Sequence, residues 1–201
     1  MLFRTLERVG TGVAPGLVIE PDASWTPVTE LLREPYGPLL ELVDETATRW
    51  NAPRHVGAAL WWKTYTYWHS LPMALGWAID GRVPVMRLAD TYVKSSPAGV
   101  TIGASRIEWG GVSLEEQAPL VEVVSKLFRI GERTLWGSTA EAFAHPLTSI
   151  VPGDYMRLLR ELGLDGLITP APDGFFRRTC CLWITLPDVE PCSTCCVFAR
   201  N

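Results

Sequence analysis

For its first 179 residues the chain contains no cysteine; all five lie in the last 22. This excludes a disulfide framework spread through the fold, and the clustering calls for a local chemical explanation. Long hydrophobic runs are missing as well. A membrane-spanning helix needs roughly 20 apolar residues. The longest candidate, around Leu71 to Ile79, holds Pro72 and stops at Asp80 and Arg82. The opening residues have no apolar core of secretory-signal length, which predicts a cytoplasmic protein whose thiols stay reduced. There is no basic excess. Lys plus Arg number 18 against 22 Asp plus Glu, a formal net charge of -4, which argues against a general nucleic-acid binder. No glycine-rich phosphate cradle is present either. The run Gly10 to Gly16 has the wrong spacing for a dinucleotide site, lacks a preceding strand and contains Pro15, so it reads as a plain turn. There is no Ser/His/Asp order with a nucleophile elbow. Asp44 and Glu45 are adjacent on a helix, face different ways, and make no acid–base dyad. The three histidines, His55, His69 and His145, are remote in sequence from every cysteine and read as surface or satisfied core residues.

What is present is a globular composition: 47% hydrophobic and 20% charged residues over 201 positions, enough chain to bury a real core. The first 27 residues are dense in Gly and Pro and read as loop. Apolar spacing predicts helices from Pro38 to Trp50 and from Arg54 to Ser70, with Pro72 breaking the second and a short helix following to Ala78. Asp80 and Gly81 make a turn. The β-branched stretch from Val83 to Trp109 predicts a hairpin or small sheet that turns at Ser95 to Gly99. Ser113 to Glu116 has the pattern of a capping box, although Pro119 belongs in a first turn. That helix closes at Gly131. Further helices are expected from Glu132 to about Ala144, before Pro146, and from Gly153 to Leu162. From Leu167 to Leu186 the chain reads as extended segments around a Pro-rich loop. The expected fold is α+β: a mainly helical body over 1–165 with a small β-hairpin or sheet, and a cysteine-rich C-terminal segment over 166–201, together one compact unit. The nine Trp are best explained as core filler, including the crowd of Trp61, Trp62, Trp68 and Trp77 with Tyr65 and Tyr67; the rival is an aromatic wall for a ligand.

The cysteines follow the pattern C-C-x10-C-x2-C, with Cys196 as an extra. Thiolates at this density are ligands for zinc or for an iron–sulfur cluster. A structural zinc site usually takes two spaced pairs, whereas Cys180 and Cys181 are adjacent, and adjacent side chains of an extended chain point to opposite faces. Odd spacing suits a two-iron cluster better than one tetrahedral ion.

This tail resembles the C-terminal signature of the ferric-siderophore reductase (FhuF-like) family, which ends in Arg-Thr-Cys-Cys or similar, ten residues, then Cys-x2-Cys. Two upstream segments are similar as well: Ala58 to Tyr65, and Leu135 to Ala140 with its Leu-Trp-Gly. The resemblance implies a [2Fe–2S] cluster on Cys180, Cys181, Cys192 and Cys195; Cys196 departs from the family pattern. It also implies a ferric siderophore as substrate, reduced by one electron to release Fe(II). No nicotinamide or flavin motif accompanies it, which predicts an external electron donor, a ferredoxin or a reductase. Arg177 and Arg178 are candidates for contacting an anionic ferric complex, and Arg178 for donating to cluster sulfur, while solvated or ion-paired arginines are the ordinary alternative. Lys63 and Arg54, on a candidate helix, are further candidates to add charge, and Trp183, between the cysteine pairs, would shield the cluster. The rival readings are a zinc-stabilised binding module without redox activity, and a [2Fe–2S] electron carrier with a protein acceptor.

Overall fold

The computed structural model describes residues 1–96 and 99–197. The fold is α+β with a helical body, as its sequence patterning predicts. In chain order, the helices are α1 (Leu2–Val9), α2 (Val28–Leu31), α3 (Gly37–Arg49), α4 (Arg54–Ile79), α5 (Ala118–Phe128), α6 (Glu132–Ser149) and α7 (Tyr155–Glu161). The strands are β1 (Val13–Val18), β2 (Thr26–Pro27), β3 (Val83–Val85), β4 (Thr91–Ser96), β5 (Gly99–Ala104), β6 (Glu108–Gly110), β7 (Ile168–Ala171) and β8 (Gly174–Arg177). A four-stranded sheet has the order β1-β5-β4-β2, with β1 parallel to β5 and the other pairs antiparallel. Two further antiparallel pairs are β3 with β6 and β7 with β8. Pro97 and Ala98, at the expected hairpin turn, lie outside the described residues.

Helix α4 is the axis of the molecule. Its N-terminal half packs Ala58, Trp61, Trp62 and Tyr65 against α3, α5 and the buried face of β4 and β5. Its C-terminal half packs Leu71 and Leu75 against Leu2, Leu6, Val13 and Leu17, and Met73 against Phe143, Leu158 and Phe175. Apolar on nearly every side, it is buried rather than amphipathic.

Such enclosure corrects two expectations. Pro72 does not break α4, and Pro146 does not end α6; both helices run through their prolines. An interior proline costs a helix about 3 kcal/mol. Both prolines are buried, and neighbouring elements hold each helix in place along its length, so packing outweighs the lost hydrogen bond. The first 27 residues are likewise not all loop. Helix α1 and strand β1 form because Leu2, Leu6, Val13 and Leu17 find a partner in α4. Pro15 is tolerated because β1 is a sheet edge. Gly12 sits where a Cβ would collide with the Trp68 ring, so its missing side chain is a packing requirement. The capping box does not form. Ser113 Oγ accepts from the Glu115 amide at 3.1 Å, while Glu116 is drawn away to Arg87, at 2.9 Å, and to the Leu88 amide. Helix α5 starts later, with Pro119 in its first turn, and ends with Arg129 in the left-handed conformation; Gly131 precedes α6 instead of closing α5.

A buried polar junction fastens α4 to α5 and α6. Gln117, fully buried, accepts from Thr66 Oγ1 at 2.7 Å and from Thr139 Oγ1 at 3.4 Å. Its amide nitrogen reaches Ser70 Oγ at 3.0 Å and His69 Nδ1 at 3.2 Å. All four hydrogen-bonding positions of the amide are thereby used. His69 is thus a satisfied core histidine. Burial is the main cause that pushes its pKa down from 6.5 to about 4, against smaller opposing effects of Glu116 and the Met86 backbone.

A group whose folded pKa is lowered binds its proton more readily in the unfolded chain, so acid favours unfolding. The expected outcome is that urea-unfolding stability falls as pH drops from 6.5 towards 4, with His69 contributing roughly 3 kcal/mol of the loss. Stability measured across this window in wild type and His69→Gln checks this: the variant should lose that component of the slope.

Candidate metal centre

Three segments distant in sequence meet at the cysteines. From α4, the Trp62 indole donates to the Leu135 carbonyl at the start of α6, at 2.9 Å. From α6, Gly137 opens a space that Thr179 fills: a Cβ at this position would overlap the Thr179 hydroxyl. From the C-terminal segment, the β7–β8 hairpin seats Ile168 and Phe175 in the apolar cluster of α6 and α7. Just after β8 the chain reaches Cys180 and Cys181. The segments Ala58 to Tyr65, Leu135 to Ala140 and the cysteine tail are therefore neighbours in space.

The adjacent pair separates as alternation requires. Cys181 is buried and hydrogen-bonds with Cys192; Cys196 lies within sulfur hydrogen-bonding reach of Cys180 and Cys195. Leu182, at φ 66°, kinks the chain straight after the pair, and its amide donates to Cys180 Sγ at 3.3 Å. Across the loop, the Cys195 amide donates to the Cys192 carbonyl at 2.9 Å and closes a tight C-x2-C turn. The thiols are all free, and they fall into two groups: Cys181 with Cys192, and Cys180 with Cys195 and Cys196. Among the described residues no three His, Cys, Asp or Glu groups converge on one point suited to a single ion.

The two arginines have different roles. Arg177 is fully buried, so it does not face a solvent-borne substrate. Its Nη1 lies 3.3 Å from Glu141 Oε2, and its Nη2 is 3.9 Å from Cys192 Sγ. Arg178, one residue on, emerges on the other side and donates through Nε to Thr169 Oγ1 at 3.0 Å, away from the sulfurs. Of the two arginines, the one whose side chain reaches a sulfur is Arg177, whereas sequence reasoning puts Arg178 in that place. Of the other basic candidates, Arg54 is held by Asp44 at 2.6 Å, whereas Lys63 pairs with Glu141 at 3.3 Å.

Glu141 was not foreseen, and it organises the site. Burial opposes its ionisation, but Arg177 and Lys63, helped by the Thr194 hydroxyl, hold its carboxyl below the ordinary range. The thiols respond to the same charges. A hydrogen bond from Cys192 brings the Cys181 thiol down to about 5; burial opposes this, and Arg177 and Lys63 assist. Cys192, as the donor in that pair and partly buried, is pushed up. A signal for Glu141 existed in the sequence. Ser138, Glu141 and His145 recur at one-turn intervals along α6, a polar stripe that needs a partner.

Next to the thiols is a cavity of about 410 Å³, lined by Lys63, Tyr67, Trp68, Glu141, His145 and Cys192 among others. A smaller one, about 290 Å³, adjoins Trp50, Lys63, Trp183 and Cys192. Trp183 meets Trp50 edge-on at 4.8 Å and covers this side. The tryptophan crowd thus divides: Trp61, Trp62 and Tyr65 are core, while Tyr67 and Trp68 border the larger cavity. A comparison with protein-family models found no matching family, and no curated protein matches the chain.

Replacing Gly137 with Ala forces Thr179 away from α6. The expected cost is about 1–3 kcal/mol of stability. Chemical unfolding followed by circular dichroism measures it, and limited proteolysis should show earlier cutting in the segment around Arg178.

Proposed function

We propose that the protein is a ferric-siderophore reductase that holds a [2Fe–2S] cluster on Cys180, Cys181, Cys192 and Cys195. The observation that carries the reading is the association of the sulfurs as two groups beside a cavity bearing a cation and aromatic faces. Two irons sharing four thiolates would take two each, and the four sulfurs lie near one another as Cys181 with Cys192 and Cys180 with Cys195. Two buried polar groups without partners, Arg177 Nε and Thr179 Oγ1, lie on the segment leading into the first cysteines. Unpaired buried donors are costly, and cluster sulfur is an acceptor of the right kind for them. The residues present therefore fit the group.

When bound, a [2Fe–2S] centre supplies a one-electron couple. The chain's own residues do the rest. Arg177 donates towards Cys192 and offsets thiolate charge inside the fold. Glu141 neutralises part of that positive charge, and with Lys63 the three side chains retain a net charge of one positive. Lys63, 30% exposed in its side chain, presents that charge to the cavity, where an anionic ferric complex is attracted to it. Tyr67 and Trp68 supply apolar faces for the organic part of the complex. Fe(III) in the complex gains one electron and becomes Fe(II), which hard oxygen ligands hold far more weakly, and the metal is released. An external ferredoxin or reductase returns one electron to the protein.

The test begins with protein purified without oxygen, its visible spectrum recorded and its iron, sulfide and zinc assayed. About two irons and two sulfides per chain are expected, with a spectrum bleached by reduction and restored by ferric siderophore. One zinc and no sulfide would overturn the reading in favour of a zinc-stabilised module. Reduction by NADPH without a partner would overturn the external donor. For the substrate side, Lys63→Met should raise KM for an anionic ferric complex roughly tenfold, the worth of one charge-assisted hydrogen bond, and leave iron content unchanged.

A further inference from the structure

Glu141 touches the cysteine region from two sides at once. Its Oε1 accepts the Thr194 hydroxyl at 2.5 Å, and Thr194 lies inside the Cys192–Cys195 turn. Its Oε2 faces Arg177 Nη1 and Lys63 Nζ, each at 3.3 Å. Arg177 closes the circuit, because its backbone amide donates to the Thr194 carbonyl at 2.9 Å while its Nη2 points at Cys192. Both polar ends of Thr194 are held, one by the carboxylate and one by the strand that carries the arginine. Arg177 is otherwise restrained by a hydrogen bond with Cys181 and a 3.4 Å contact with Ser138 Oγ, and its Nε has no partner. Removing the carboxylate therefore loosens the guanidinium and takes away the side-chain tie on the turn, whose backbone bonds remain.

We propose that Glu141 is a positioning residue for the cysteine site: it fixes the Cys192–Cys195 turn through Thr194 and keeps the Arg177 guanidinium aimed at Cys192. The proposal rests on the cluster reading only for its second measurement; the first concerns the thiols alone.

That first measurement is made on the reduced, metal-free full-length protein. Iodoacetamide alkylation of Cys192 is followed by peptide mass spectrometry, with Cys180 as internal reference. Glu141→Gln retains an acceptor for Thr194 and loses the charge on Arg177; Thr194→Val does the reverse. Both variants should alkylate faster at Cys192 than wild type, with Cys180 little changed. The second measurement uses protein loaded without oxygen. Glu141→Gln should hold iron about tenfold less tightly against a chelator, the usual effect of removing an outer partner of a metal ligand. Arg177→Met should move the midpoint potential to more negative values, because a donor to sulfur stabilises the reduced state. A Glu141→Gln protein that melts earlier yet matches wild type in Cys192 alkylation and in iron retention would overturn the proposal and leave a structural ion pair. Should that variant not fold, the double variant Glu141→Leu with Arg177→Met leaves no buried charge of this pair unmatched. Faster Cys192 alkylation in it supports the proposal, and a wild-type rate overturns it. A chain that binds no cluster defeats the function proposed above, while the alkylation result still decides the role of Glu141.

Discussion

The cysteine region depends on one buried charge pair, Glu141 with Arg177. Neither charge is tolerable alone in the interior, since an unpaired buried ion costs several kcal/mol. Each therefore requires the other, and their mutual need fixes the distance between α6 and the strand that leads into Cys180. Lys63 adds a third element, α4, to the same carboxylate. Thr194 adds the second cysteine turn. A single carboxylate thus sets where four segments meet. Leu182, Trp183 and Leu186 pack on Val56 and Leu60, and to this non-directional hold the carboxylate adds a directional restraint.

The body below the site has a different logic. Helix α4 is wrapped by helices and sheet on nearly all sides, and its one large polar junction, around Gln117, is fully satisfied. A network with every member paired rigidifies a core, whereas a partly paired one weakens it. At Gln117 every hydrogen-bonding position is used. Arg177 Nε and Thr179 Oγ1 beside the cysteines have no partner, and neither do Trp61 Nε1 and Tyr65 Oη in the helical core.

Much of the architecture was legible in the sequence, and the failures have common causes. Helices α3, α5 and α7 and the β4–β5 hairpin follow from apolar periodicity and turn residues. Pro72 and Pro146 misled because a propensity rule describes an isolated helix, while these two are held by neighbours along their length. The N-terminal segment misled because its glycines and prolines conceal a helix and an edge strand that exist only by docking on Leu71 and Leu75. At the site, the cysteines were legible as a donor set; Glu141 showed only as part of a polar stripe on α6 and Thr194 not at all, since each gains its role from a partner at least 36 residues away.

The sequence by itself determined the chemistry on offer: thiols concentrated in one short stretch, a Cys-Cys pair whose side chains diverge, and two arginines just before them. Only the tertiary structure decided which sulfurs become neighbours and which arginine serves them. Arg177 and Arg178 are interchangeable as text. Alternation along an extended chain sends one inward and the other outward, and only the packing of the hairpin on α6 says which. It is Arg177 that is buried at the carboxylate of Glu141. Burial and pairing are properties of the whole fold, and no local pattern encodes them.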